Sequence, residues 1–247
     1  MNDKPTAYLS SLRHDLKTII DELSTHFEYV SVLATDSKGK AFGVRTRSMD
    51  IRDFMGERGM VFRAVCQGRV AEVSINDLKL DVPMDASQKI IDLLKQQFEL
   101  QDRFSPVLVD LSTEESATLE VVKTAKIPFD TKTTQEKLDF LSAIVKEVGS
   151  RDERIVNTVV QYMEVTVSKL FISTNKDLLQ SYPWSQGYIV TLGKSESGIK
   201  MGFNAVSGMK GLELLDEING LIDTSIKTLD DTLKAVPIIP GDYEIIC

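Results

Sequence analysis

Apolar residues open the chain at helical spacing. Leu9, Leu12, Leu16, Ile19, Ile20 and Leu23 recur at three- and four-residue steps, which lines them along one face of an amphipathic helix. The helix is predicted over Lys4 to Phe27, with Asp3 and Pro5 as its start signals. The period then changes. Glu28 to Ala34 and Ala41 to Arg47 are rich in β-branched residues and roughly alternate, and the turn-forming residues Asp36 to Lys40 lie between them, so a hairpin is predicted. A second hairpin follows. Gly59 to Cys66 sets Met60, Phe62, Ala64 and Cys66 on one face, Gln67-Gly68 turns the chain, and Arg69 to Ile75 returns.

Ile90, Ile91, Leu93, Leu94 and Phe98 give a second helix over Asp85 to Leu100. Val107 to Thr133 reads mostly as loop, because the Ile127-Pro128 pair suits neither a helix nor a central strand. Thr133 with Glu136 forms a capping box, which opens a third helix ending at Gly149. Arg154 to Thr174 is strand-like but long for one strand, so a bend is expected near Met163 to Thr166. Gln186 to Lys194 and Gly198 to Ala205 form another hairpin, and Leu212 to Ala235 a last helix. Pro237, Pro240 and Gly241 then break the pattern before a strand-like Tyr243 to Cys247. The fold class expected is α+β: an antiparallel sheet of successive hairpins, covered on one side by amphipathic helices.

Composition narrows the setting. The chain has 247 residues and a net charge of −8. A chain of this length buries roughly 70–75% of its unfolded surface, enough for a sizeable core. No apolar run approaches the roughly 20 residues of a membrane helix, and Met1 to Leu9 lacks the basic-then-apolar pattern of a secretory signal. Cys66 and Cys247 are too few for a disulfide framework, so a reducing cytoplasm is expected. The acidic balance makes nucleic acid an unfavourable partner, because phosphates are bound through Lys and Arg.

Candidate chemistry is sparse. His14 and His26 are twelve positions apart, more than three turns of one helix, and do not converge. They read as surface residues, and no catalytic or metal-ligating set is assigned. Cys66 reads as an inert core thiol, and Trp184, following Pro183, as a loop aromatic packed on a sheet edge, with a ligand platform as the alternative. Glu213, Asp216 and Glu217 share neighbouring turns but no histidine joins them. From Leu212 to Cys247 eight acids face two lysines, either a solvated helix face or a surface for a basic partner. Arg45, Arg47, Arg58, Arg63 and Arg69 make one stretch basic. They are candidates for an anion or carboxylate site, against the plainer reading of a solvated outer sheet face.

The second hairpin carries a resemblance. Glu57-Arg58-Gly59-Met60-Val61-Phe62-Arg63-Ala64, with Gly68 beyond it, resembles the GxGxRA…G hairpin of the TldD/PmbA family, labelled modulators of DNA gyrase and understood as zinc metallopeptidases. The leading helix fits, and Pro240-Gly241-Asp242-Tyr243 is similar to the family's PGxYxV strand, more in the manner of the metal-binding TldD branch than of the PmbA branch. The family's HExxxH motif, two zinc ligands and a general base, is absent from these residues. The resemblance therefore implies that residues 1–235 are a non-catalytic N-terminal domain. Residues 236–247 would be a linker and the first strand of a catalytic domain not contained here, where the zinc would sit. It also implies a homo- or heterodimer with a TldD/PmbA-type subunit and an extended peptide as substrate of the whole protein, which makes Arg45, Arg47, Arg58, Arg63 and Arg69 candidates for an interface or a peptide-access surface. Alternatives are a free-standing interaction module and a gyrase- or DNA-associated modulator.

Overall fold

The computed structural model describes residues 7–54, 56–76, 83–101, 108–109, 111, 114–196, 198–236 and 239–244. Helix α1 (Ala7–Leu23) precedes four strands, β1 (Tyr29–Arg45), β2 (Ser48–Phe54), β3 (Arg58–Cys66) and β4 (Arg69–Ile75). Helix α2 (Pro83–Gln101), strand β5 (Ala117–Val122) and helix α3 (Thr134–Arg151) follow. Strands β6 (Ile155–Ser173), β7 (Lys176–Ser195) and β8 (Gly198–Gly208) lead to helices α4 (Leu214–Gly220) and α5 (Ile222–Lys234). The fold is α+β, as the hydrophobic pattern predicts. All eight strands join one sheet in the order β4-β3-β1-β6-β7-β5, with β2 also on β1 and β8 also on β7. Every pairing is antiparallel except β5 with β7.

Three predicted breaks are not there. Asp36 to Lys40 form no turn, because β1 pairs with β6 in unbroken register from Ser31 opposite Ser173 to Arg45 opposite Val159. The turn-forming residues have tertiary uses instead. The Asp36 carboxylate accepts two bonds from the Arg58 guanidinium at 3.2 Å. Gly39 lets β6 close in, since a Cβ there would sit 2.1 Å from the Glu164 carbonyl oxygen. The true turn of the first hairpin is Thr46-Arg47. Nor does β6 bend between Met163 and Thr166, for β1 and β7 hold it along both edges. Strand β7 begins at Lys176, ten residues before the predicted Gln186, and includes Pro183 and Trp184.

The strand β5 lies inside the predicted loop, and the last helix is two, α4 and α5, meeting at Leu221. Tyr243 and Glu244 are in no strand. Asp3, Pro5, Pro237 and residues 245–247 lie outside the described residues.

The helices pack on one face of the sheet and make two cores. Leu9, Leu16 and Ile20 of α1 and Ile90 and Leu94 of α2 bury against Val30, Val32, Phe62, Leu170 and Ile172. Leu141, Ile144 and Val148 of α3, with Leu215 and Ile218 of α4, bury against Phe42, Val160, Tyr162 and Ile189. Each fully buried aliphatic side chain contributes about 1.5–3 kcal/mol. Strands alternate their faces, so β1, β6 and β7 serve both cores with one parity. Between the cores the same parity turns polar. Asp36, Ser168 and Ser181 form one row across the sheet, and Lys40, Glu164 and Ser185 another.

Candidate functional site

The five candidate arginines do not share a surface. Arg58 and Arg69 stand on the helix-bearing face, Arg58 over the Tyr8 ring at 4.0 Å and Arg69 over the Phe98 ring at 5.9 Å. Arg63 lies on the opposite face, paired with Glu72 at 2.6 Å. Arg45 is on that face too, where it and Arg52 hold the Asp50 carboxylate between them and keep it below its ordinary pKa. Arg47 is in the β1–β2 turn, so it does not share a sheet face with Arg45. The basic stretch is thus divided between two faces and a turn, and most of its charge is paired.

His14 and His26 are exposed, as the sequence suggests. Glu213 accepts the Ile127 backbone N–H at 3.0 Å, and Glu217 pairs with Lys210 at 2.6 Å. Cys66 is half-buried against the α1–α2 core. The described residues contain no group of three or more His, Cys, Asp or Glu placed to hold a metal ion. They also contain no helix long and apolar enough to cross a membrane.

The other face of the sheet is the unexpected feature. Among the described residues no helix covers it, yet many of its positions are apolar, with Gln161, Lys169, Gln180 and Gln186 between them. Val165, Val167 and Phe171 come from β6, Tyr182, Trp184 and Tyr188 from β7, and Leu119 and Val121 from β5. Met201 and Phe203 of β8 continue it, 56% and 52% exposed. Tyr188 and Phe203 set their rings 5.6 Å apart. A contiguous apolar patch on this scale marks an interaction surface in soluble proteins. Composition could not show it, because the same residue types fill the two cores.

One cleft of about 480 Å³ opens on this face. It lies where β7 has no second neighbour. β5 pairs as far as Ser181, and β8 starts at Ser185. The Ser181 carbonyl accepts the Lys123 N–H at 2.8 Å, so Pro183, two residues on, turns its backbone toward the same edge. Proline has no N–H to leave unpaired there, which is why it is tolerated in the middle of a sheet. Trp184 is therefore a strand residue walling a cleft rather than a loop aromatic. Val165 and Val167 form the floor, and Val121, Lys123 and Met209 the rim.

No family model and no curated protein matches the sequence. Solved structures do match in shape. A protein of Bacteroides thetaiotaomicron described as a modulator of DNA gyrase superimposes with a TM-score of 0.69, over 91% of this chain and 51% of its own. A second protein so described, from Thermotoga maritima, gives 0.63 over 92% and 50%. TldE from Thermococcus kodakarensis gives 0.56 over 87% and 47%. The chain has a TldD/PmbA-like fold. Identity is 13% in each case, so the TldD/PmbA-like fold persists here with few shared residues. Within it, Gly59 to Ala64 lie in β3, beside β1 at the α1–α2 end, and Pro240 to Tyr243 follow α5. The chain spans about half the length of these proteins.

Proposed function

We propose that this chain is the non-catalytic half of a TldD/PmbA-like zinc peptidase of the cytoplasm. In this reading it supplies scaffold, subunit contacts and one wall of the path an extended peptide follows. The observation that carries the reading is the uncovered apolar face, on a chain that spans half the length of its structural neighbours. All the helices among the described residues lie on the other side, so this face is left for a second subunit or domain of the same assembly. Arg45 and Arg63 stand on it and are assigned to its rim.

In this reading the zinc is not held by this half. The two histidines are exposed, twelve positions apart in sequence, and no acid or thiol cluster joins them. The zinc, with the water it would activate for attack on a peptide bond, belongs in this reading to the catalytic half.

Metal analysis of the purified 247-residue chain, run with a peptide-digestion assay, tests the non-catalytic role. The expected result is no stoichiometric zinc and no cleavage. One tightly held zinc per chain overturns it. Sedimentation tests the face: the chain is expected to associate, and Phe203→Asp, at an exposed position, to abolish association without unfolding. Association that survives Phe203→Asp assigns the contact elsewhere.

A further inference from the structure

The cleft beside Trp184 presents two different kinds of group to one small volume. The first is an apolar lining, from Val165, Val167, Tyr182 and Trp184. The second is the Lys123 side chain on the rim, with no acid among the cleft-lining residues to neutralise it. A cleft of about 480 Å³ suits a small ligand or a single residue of a peptide rather than an added strand. Pro183, within the three-residue gap between Ser181 and Ser185, also has no N–H to donate to an added strand.

We infer that this cleft holds the C-terminal residue of a peptide that ends in a large apolar side chain. The side chain fills the apolar lining against Trp184. The α-carboxylate meets the Lys123 ammonium. Each property of the ligand answers one property of the cleft, and no other free end of a peptide combines them: an N-terminal ammonium would meet Lys123 as a like charge. The inference deepens the proposed peptide-access role by naming the end of the peptide that the wall reads. Its test needs only this chain, so its failure is separable from that of the metal and sedimentation experiments.

Trp184 is the single tryptophan, so its fluorescence reports on the cleft alone. The probes are N-acetyl-L-phenylalanine, its C-terminal amide and N-acetylglycine. N-acetyl-L-phenylalanine is expected to change the emission saturably. The amide should bind about tenfold more weakly, the usual scale for losing a hydrogen bond to a charged group, and N-acetylglycine should give no change. Lys123 is exposed, so Lys123→Gln is expected to fold normally and to bind acid and amide alike. A flat titration with N-acetyl-L-phenylalanine overturns the inference. So does equal affinity for acid and amide in the unmodified chain, or an unchanged preference for the acid in Lys123→Gln.

Discussion

Each half of the molecule ties its leading helix to the central strands through an ion pair, and the two pairs differ in burial. At one end, Arg13 and Lys17 of α1 reach Asp177 of β7, at 2.8 and 2.5 Å. Asp177 is 8% exposed, but its partners are 29% and 49% exposed and remain hydrated. At the other end, Lys137 of α3 gives Glu164 of β6 two bonds of 2.7 Å, with both side chains about 5% exposed. Burial acts on both carboxyls in the same direction, toward a higher pKa. At Asp177 the hydrogen bonds from Arg13 and Lys17 outweigh it and the pKa falls. At Glu164 burial prevails over Lys137 and the pKa rises. The same chemistry thus gives opposite shifts, because water is kept at one pair and removed from the other.

The largest expected effect comes from breaking the dry pair. Lys137→Met leaves the Glu164 carboxylate buried without its cation, and should cost about 3–5 kcal/mol in denaturant unfolding at pH 7. Adding Glu164→Leu should recover most of that loss. If Lys137→Met is near neutral, the pair is wetter than its geometry indicates.

The second effect is smaller and depends on pH. A carboxyl with a lowered folded pKa gives stability that is present above its unfolded value of about 3.9 and lost as pH falls through the folded value. Asp177→Asn should therefore cost about 1 kcal/mol at neutral pH, and the variant and the parent chain should converge below about pH 4. Stability curves that stay parallel down to pH 2 would refute the assignment. The smallest effect separates the two pairs by salt. Going from about 0.1 M to 1 M shortens the screening length from about 10 to 3 Å. The penalty of Asp177→Asn should shrink by a few tenths of a kcal/mol, while that of Lys137→Met should hold.

Much of the fold was legible in the residue pattern, and the failures have a common cause. The α1 stripe, the Thr133–Glu136 capping box and the turn at Gln67-Gly68 are complete within a few residues. Their signals are local and so is their structure. Asp36 to Lys40 carry equally clear turn chemistry, but the ion pair to Arg58 and the pairing with β6 come from far along the chain and override it. Strand β5 was missed because all six of its residues are exposed at the sheet edge, so it lacks the buried-exposed alternation expected of a strand. Trp184 read as a loop aromatic, whereas it and Pro183 lie in β7, at the stretch between Ser181 and Ser185 where neither β5 nor β8 pairs and a proline costs no ladder bond.

For the candidate site the balance is less favourable. The arginines were conspicuous in sequence, yet folding sends Arg58 and Arg69 to one face and Arg45 and Arg63 to the other. The cleft had no sequence signature, since its lining reads as ordinary core and its position depends on where two unrelated strands stop.

By itself the sequence determined the α+β class, the helices and most hairpins, because period and capping act between near neighbours. It also carried the short motifs that resemble the TldD/PmbA hairpin. Only the tertiary structure decided that three strands run the length of the sheet, that the helices all take one side, and that an apolar face with an unpaired proline is left on the other. Those outcomes depend on which distant segments pair, and no local pattern records a partner more than a hundred residues away.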